Sequence, residues 1–175
     1  MIDWILASPP FSEGGLVPIF LYLTRNVAES HISDSETRNS MEKADGQPLR
    51  IVAGLPMYNE EETIGTVITN VLEHVNEVIC VDDGSSDSGA RIAEACGALV
   101  HRHRVNRGYG GALKSLFAKA REMDADCLIV LDSDGQHDTS DIPKLLQPIL
   151  DGDADFVIGS RFVDGGGSED MPAYR

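Results

Sequence analysis

The sequence is poor in positive charge. It contains 14 lysine and arginine residues against 29 aspartates and glutamates, which gives a formal net charge of −15 at pH 7. Nucleic-acid backbones are themselves negative and bind to basic surfaces, so the composition argues against a nucleic-acid partner. Such an acidic chain suits a protein that stays soluble in strong salt, and both a salt-rich and an ordinary cytosol are compatible with it.

The chain also lacks paired cysteines and long apolar segments. Its three cysteines, Cys80, Cys96 and Cys127, have no CxxC spacing, which predicts a reducing, intracellular setting and no zinc site. The apolar stretch at residues 16–23 covers eight residues, whereas a membrane-spanning helix needs about 20. It also lacks the basic flank and the cleavage site of a signal peptide. We therefore expect a cytoplasmic protein.

The first 47 residues differ in pattern from the rest of the chain. They show no sustained helical or strand period, and residues 29–47 are polar and rich in Ser, Glu and Asp, as in disordered segments. Met41 offers a second start site shortly before the first regular element. We predict that residues 1–47 are a leader, either disordered or absent from the natural product, and that residues 48–175 form the domain.

From Leu49 onward, short apolar runs alternate with helical patterns. The runs predict buried strands at residues 50–55, 77–83, 98–103, 127–132 and 155–160. Apolar residues at helical spacing predict helices at residues 59–75, 90–96, 110–123 and 141–152. This α/β alternation predicts a mostly parallel sheet with helices on both faces. In such a sheet, ligands bind at the carboxyl ends of the strands.

The segment DSDGQ, residues 132–136, follows the fourth predicted strand. Side chains alternate along an extended chain, so we expect Asp132, Asp134 and Gln136 to point to one side. Their oxygen atoms suit Mg²⁺ or Mn²⁺, which keep coordination positions open for phosphate oxygens. The alternative for a lone DxD motif is a solvated, aspartate-rich turn.

Polar residues follow other strands as well. Asp82 and Asp83 end the second predicted strand, where a carboxylate either binds a base or ribose or stabilises a turn. Arg104 and Arg107 precede a glycine-rich loop that could bind an anion, although for this loop by itself we favour a simple connector between two elements. Arg161 follows the fifth predicted strand, and a surface ion pair is its alternative role.

Two histidines and the absence of one motif bear on which reactions the protein could catalyse. His101 and His103 share one face of a predicted strand, but no cysteine or acid cluster accompanies them in the sequence. We expect them to be structural residues and not metal ligands. The sequence contains no G-x-S-x-G motif, which argues against an esterase.

Five segments, in this order and at this spacing, together resemble glycosyltransferase family 2: GLPMYNEEETIG, VICVDDGSSD, NRGYGGALKSLFAKA, LIVLDSDGQHDTSDIPKLL and DFVIGSRF. The resemblance covers residues 50–165 and is nearest to dolichyl-phosphate mannose or glucose synthases. It implies a Rossmann-like GT-A fold, a nucleotide-diphosphate-sugar donor such as GDP-mannose or UDP-glucose, Mg²⁺ or Mn²⁺, and inversion at the anomeric carbon. It also implies a polyprenyl or dolichyl phosphate acceptor, so peripheral attachment to the cytoplasmic membrane is an open alternative.

The resemblance further implies roles for the residues of the nucleotide pocket. By similarity to the family motifs, Pro56, Tyr58 and Glu60 line the pocket for the base and the ribose. Val81 and Asp83 belong to the segment that contacts the base or the ribose. All five are therefore expected donor-binding residues.

A second group of residues is implied at the diphosphate. Asp132, Ser133 and Asp134 resemble the family residues that face the ribose, the cation and the diphosphate, with Gln136 completing the metal shell. Arg161 resembles an arginine near the diphosphate or the acceptor phosphate. Asp134 and Arg161 are thus the expected catalytic residues.

Two alternatives to this interpretation stay open. Family members continue past the fifth strand with an acceptor-binding half, whereas this chain ends at residue 175, so we expect a donor half truncated after that strand. Such a half is either part of an active enzyme or a non-catalytic nucleotide-sugar-binding module. The second alternative is a phosphatase of the haloacid dehalogenase type, with Asp132 and Asp134 as nucleophile and acid. The sequence does not distinguish GDP from UDP, and it leaves the sugar and the oligomeric state open.

Overall fold

The structure is a computed structural model that describes residues 19–23, 47–151 and 153–159. Within these residues, six strands form one sheet: β1 (Ile19–Leu23), β2 (Ile51–Met57), β3 (Glu77–Asp82), β4 (Leu99–Arg102), β5 (Cys127–Val130) and β6 (Phe156–Gly159). The described helices are α1 (Ile64–Val71), α2 (Gly89–Ala95), α3 (Tyr109–Glu122) and α4 (Ile142–Leu150), with a short 3₁₀ helix at Thr139–Asp141 before α4.

The predicted mostly parallel sheet is confirmed. The strand order is β4-β3-β2-β5-β1-β6, and β4, β3, β2 and β5 all run parallel. Each predicted strand is present, and its ends lie within one residue of the prediction except at the carboxyl ends of β2 and β5, which differ by two residues. β2 extends to Met57, past the predicted end at residue 55, whereas β5 ends at Val130 and not at residue 132. Every residue of β2 is buried, as expected for a central strand covered on both faces.

The structure adds one strand that the sequence analysis did not predict. β1 lies between β5 and β6 and is antiparallel to both, with Phe20 opposite Val130 on one side and Ile158 on the other. Our expectation of no strand in residues 1–47 was therefore wrong for residues 19–23. The run IFLYL is rich in residues that favour strands, but so short a run shows no period. Apart from residue 47, the rest of the predicted leader lies outside the described residues, and a boundary near residue 47 stays a prediction.

Helices cover both faces of the sheet, as predicted. On one face α1, α2 and α4 contribute to a common apolar cluster with the alternate β2 residues Ala53, Leu55 and Met57. On the other face, α3 packs against Val52 of the same strand and against Ile79 of β3. No helix in the part of the chain that the structure describes is both long and apolar enough to cross a membrane.

Candidate functional site

A cavity of about 320 Å³ lies where β2, β3 and β5 end. Its walls come from the end of β2, from the segments after β2, β3 and β5, from the loop that leads into α3 and from the first turn of α3. The lining residues are Pro56, Met57, Tyr58, Glu60, Asp83, Asn106, Gly108, Tyr109, Ala112, Asp132, Ser133 and Asp134. The cavity thus occupies the edge of the sheet at which parallel α/β folds bind their ligands.

Most of the site residues predicted from the sequence meet in this cavity. Those that line it are Pro56, Tyr58, Glu60, Asp83, Asp132, Ser133 and Asp134. Val81 does not line it, because its side chain is buried in the apolar cluster under α3. Gln136 is exposed and is also absent from the lining. Arg161 lies outside the described residues.

The residues after β5 form a turn and not the extended segment that we expected. Gly135 has a φ of 77°, and the amide of Gln136 donates a 2.9 Å hydrogen bond to Oδ1 of Asp134. The alternation that would place three side chains on one side therefore ends with the strand. Asp132 and Asp134 nevertheless share the cavity wall, while Gln136 is not part of it.

Acidic side chains give this end of the cavity its electrostatic character. Burial raises the pKa of Asp132, and the negative charges of Asp134 and Glu60 raise it further, while His137 and the hydroxyl of Tyr109 act in the opposite direction. The Tyr109 hydroxyl lies 3.4 Å from Oδ1 of Asp132. Carboxylates that repel one another beside an open cavity form a suitable environment for a cation.

The side chains at this site also limit how many ligands the protein can provide to such a cation. Asp132 and Asp134 offer carboxylate oxygens, the donor type that Mg²⁺ and Mn²⁺ prefer. Among the described residues, however, no group of three or more His, Cys, Asp and Glu side chains is arranged to hold a metal ion. The residues fit a divalent cation that takes its remaining ligands from a bound molecule or from water.

Ser133 connects three parts of the cavity wall. Its buried hydroxyl donates to the carbonyl oxygen of Pro56 at 2.9 Å. Its own carbonyl oxygen accepts from the hydroxyl of Thr63, just before α1, at 2.8 Å. These bonds join the end of β2, the start of α1 and the turn after β5. The Ser133 hydroxyl therefore holds the wall in place.

Asp83 is a buried carboxylate within a chain of hydrogen bonds. Its Oδ1 lies 2.5 Å from Nδ1 of His103, and the Nε2 of that ring lies 2.7 Å from Oγ of Ser115. The amide of Arg107 donates to both oxygens of Asp83, at 2.9 and 3.0 Å. Burial raises the pKa of Asp83, but the hydrogen bonds from His103 and from the Arg107 amide, together with the nearby Gly108 amide, outweigh it, so the pKa is lowered overall. The carboxylate is therefore ionised at neutral pH.

The two adjacent aspartates at the end of β3 have different surroundings. Asp82 is completely buried, with its Oδ1 accepting from the amide of Ser85 at 2.8 Å and its Oδ2 lying 2.7 Å from Nε of Arg102. Asp83 is the one that lines the cavity. Gly84, with a φ of 80°, allows the chain at Val105 and Asn106 to approach so closely that a Cβ would lie 3.0 Å from their backbone atoms.

The loop before α3 is the part of the site that the sequence analysis undervalued. We favoured a simple connector there, but Asn106, Gly108 and Tyr109 line the cavity. The side chains expected to bind an anion, Arg104 and Arg107, are not in the lining, and it is the Arg107 amide that contributes. A tyrosine directly after glycine at a predicted helix start was the available signal.

Comparison with known proteins places this fold in a family. The model of glycosyl transferase family 2 matches residues 53–175. A UDP-N-acetylglucosamine–dolichyl-phosphate N-acetylglucosaminyltransferase from Methanococcus voltae is 33% identical over 139 residues, covering 69% of this chain and 55% of the relative. A dolichol-phosphate mannosyltransferase from Pyrococcus furiosus is 33% identical over 135 residues, covering 73% of this chain and 37% of the relative. The chain thus spans about half the length, or less, of these curated relatives.

A solved structure supports the same family and fold. Glucosyl-3-phosphoglycerate synthase from Mycobacterium tuberculosis, in complex with Mn²⁺ and UDP-glucose, superposes with a TM-score of 0.51 at 31% identity. The superposition covers 59% of this chain and 40% of that chain. The predicted GT-A fold is thereby confirmed, and with the family match over most of its length, this chain belongs to glycosyltransferase family 2.

Proposed function

We propose that this chain is the donor-binding part of a glycosyltransferase that moves a hexose from a nucleotide-diphosphate sugar to a polyprenyl or dolichyl phosphate, with inversion. One observation carries the proposal: the cavity at the strand ends brings together an acidic pair, a buried aspartate and an exposed tyrosine. The relatives named for dolichyl phosphate support the acceptor class. A lipid acceptor would bring the protein to the cytoplasmic membrane surface.

The nucleoside end of the donor fits the wall formed by Tyr58 and Asp83. Tyr58 is 51% exposed beside the cavity and offers an aromatic surface on which a base can stack. Asp83 is ionised and buried, so it can accept hydrogen bonds from the N–H groups of a base. These two residues would hold the base, while the carboxylates after β5 are left for the diphosphate.

The diphosphate end fits Asp132 and Asp134. These residues would hold Mg²⁺ or Mn²⁺, which when bound would supply positive charge for the departing nucleoside diphosphate. Two residues hold the Asp132 segment. The hydroxyl of Tyr109 contacts the Asp132 carboxylate, and Nδ1 of His137 accepts a 3.2 Å hydrogen bond from the Asp132 amide. Their contacts keep the Asp132 carboxylate at the cavity wall before any ligand arrives.

The proposed acceptor needs little help to attack. A phosphate oxygen of a polyprenyl phosphate is already anionic, so its attack on the anomeric carbon requires no proton removal. The bond between that carbon and the donor diphosphate breaks on the opposite face, through an oxocarbenium-like state, which inverts the configuration.

Calorimetric titration tests donor binding. We expect UDP-glucose or GDP-mannose to bind to the wild-type chain in high salt with Mn²⁺ present, and much more weakly without it. Asp134→Ala should weaken Mn²⁺-dependent binding of the nucleotide sugar by more than about tenfold. Mutation of a residue that only orients a metal-binding side chain already costs about that much, and loss of the metal-binding side chain itself should cost more. Asp153→Ala is the matched control, since Asp153 is an exposed aspartate outside the cavity. An affinity in Asp134→Ala equal to wild type would contradict the metal assignment.

Product formation separates the alternatives. Transfer of labelled hexose to a polyprenyl phosphate supports an enzyme, whereas donor binding without product supports a binding module. Hydrolysis of a simple phosphomonoester would instead support the phosphatase. The family match favours the glycosyltransferase over the phosphatase.

A further inference from the structure

We infer that His103 and Ser115 are positioning residues for Asp83, and that they leave this carboxylate a single acceptor site for the base, so that the cavity selects uracil over guanine. The inference rests on the proposed function, because it names the nucleotide of the proposed donor. The basis of the inference is the number of hydrogen bonds that the Asp83 carboxylate already accepts within the protein.

The first oxygen of the carboxylate is fully occupied. A carboxylate oxygen has two lone pairs. Oδ1 of Asp83 accepts from Nδ1 of His103 at 2.5 Å and from the amide of Arg107 at 2.9 Å. Because an ionised carboxylate only accepts hydrogen bonds, Nδ1 of His103 carries the proton that it shares with Asp83. No lone pair of Oδ1 is left for a ligand.

The second oxygen has one site to offer. Among the residues that the structure describes, the only hydrogen bond to Oδ2 of Asp83 comes from the same Arg107 amide, at 3.0 Å. The Gly108 amide, which also lowers the pKa of Asp83, donates its 2.9 Å hydrogen bond to Oδ1 of Asn106. One lone pair of Oδ2 therefore remains for a donor on a bound base.

The carboxylate cannot rotate freely to offer both oxygens. His103 is 4% exposed, and its Nε2 is held at 2.7 Å by the hydroxyl of Ser115 on α3. The His103 amide also donates to the carbonyl oxygen of Asp82 at 2.8 Å, which ties the end of β4 to the end of β3. Rotation of the Asp83 carboxylate would break its bonds to His103 and Arg107 together.

The two candidate bases differ in the donors that they present. Uracil has a single N–H donor, at N3, and this donor needs one acceptor. Guanine presents two adjacent donors, N1–H and the N2 amino group, which pair best with both oxygens of a carboxylate. With one acceptor available, one guanine donor lacks its partner at Asp83, and sites that leave a polar group unpaired discriminate strongly.

The test compares UDP with GDP by calorimetry, on the full chain and with Mn²⁺ present. We expect UDP to bind about tenfold more tightly than GDP, the effect of one unpaired donor. Equal affinities, or tighter binding of GDP, would overturn the inference while leaving the proposed function intact. Binding of neither nucleotide would contradict the proposed function itself, and this inference with it.

Variants of His103 separate positioning from general stability. His103→Leu removes the donor to Oδ1 and frees an acceptor, so the UDP preference should fall to within about threefold. His103→Asn keeps an N–H donor near the position of Nδ1 and should retain most of the preference. His74→Leu, a histidine after α1 and outside the cavity lining, is the control and should leave the ratio unchanged. A merely structural role would weaken both nucleotides equally.

Ser115→Ala provides a second variant in case His103→Leu does not fold. Ser115 lies within α3, where alanine is the most favourable residue. Loss of its hydroxyl releases Nε2 of His103, and the UDP-to-GDP ratio should fall by about threefold. If Ser115→Ala keeps the full wild-type preference, and His103→Leu also keeps it wherever it folds, the positioning role is refuted.

Discussion

Asp83, Ser133 and His103 are buried polar residues, and each joins segments that are distant in the sequence. His103 joins β4 to β3 and α3, and Ser133 joins the turn after β5 to β2 and α1. A buried polar group that lost such a partner would cost about 1–3 kcal/mol. These contacts therefore hold the cavity walls in a fixed arrangement before a ligand binds.

The cysteines give a prediction at the same scale. Burial raises the pKa of Cys80 and of Cys127 to about 12, with smaller contributions from Cys96 and Asp126. Because the thiolate is the reactive form, both thiols should be inert at pH 8, whereas the half-buried Cys96 should react. Mass spectrometry after iodoacetamide treatment should find Cys96 alkylated in the folded protein and all three cysteines alkylated in denaturant. Rapid alkylation of Cys80 or Cys127 in the folded protein would contradict their burial.

The sequence predicted the acidic residues of the site better than the residues that support them. Asp83, Asp132 and Asp134 each follow an apolar run, and the end of a strand is visible in the sequence. His103 was predicted to be a structural residue and not a metal ligand, and its link to the site was missed because its partners Asp83 and Ser115 lie 20 and 12 residues away. Only the packing of β4, β3 and α3 brings these three side chains together.

At the scale of single elements, the contact between β2 and α3 depends on a glycine. A Cβ on Gly54 would overlap the side chain of Leu116, which is fully buried. Gly54→Ala should therefore lower the free energy of unfolding by about 1–3 kcal/mol, the usual cost of overpacking a core. Denaturant unfolding measures the change.

A glycine in open space provides the matched control for Gly54→Ala. A Cβ on Gly110, in the first turn of α3, would meet no atom within 4 Å. Gly110→Ala should leave stability unchanged or raise it by up to about 1 kcal/mol, since alanine favours a helix. Equal effects of the two substitutions would show that Gly54 is not in close contact with Leu116.

The inserted strand β1 allows a second test at this scale. β1 is paired on both sides, with Leu21 opposite Ile129 and Val157. Leu21→Pro removes a backbone donor that a central strand needs, whereas Leu21→Ala keeps it. We expect Leu21→Pro to be less stable than Leu21→Ala by at least about 1 kcal/mol in denaturant unfolding. The same stability for both variants would place residues 19–23 outside the sheet.

The strands were predictable where local pattern decides them. β2, β3 and β5 are apolar runs bounded by turn residues, and their burial follows from that composition. β1 was missed because its place in the sheet depends on pairing with β5 and β6, which follow more than a hundred residues later along the chain. Such distant pairing leaves no mark in a short apolar run.

At the scale of the whole molecule, the net charge of −15 is spread over 175 residues. Salt screens repulsion between exposed charges, with a Debye length that falls from about 30 Å at 0.01 M to about 3 Å at 1 M. We expect the midpoint of thermal unfolding to rise by about 3 °C or more between 0.01 and 0.5 M KCl. Glucose at equal osmolality does not screen charge and serves as the control. A midpoint that is insensitive to KCl would show that self-repulsion does not limit stability.

The central claim is that Asp132 and Asp134 hold a divalent cation beside the diphosphate of a nucleotide sugar. Crystals soaked with MnCl₂ and UDP-glucose, with diffraction recorded at the manganese absorption edge, test it most directly. We predict an anomalous peak within coordination distance of a carboxylate oxygen of Asp132 or Asp134, next to density for a diphosphate. Well-diffracting crystals with neither manganese nor nucleotide in that cavity would contradict the claim.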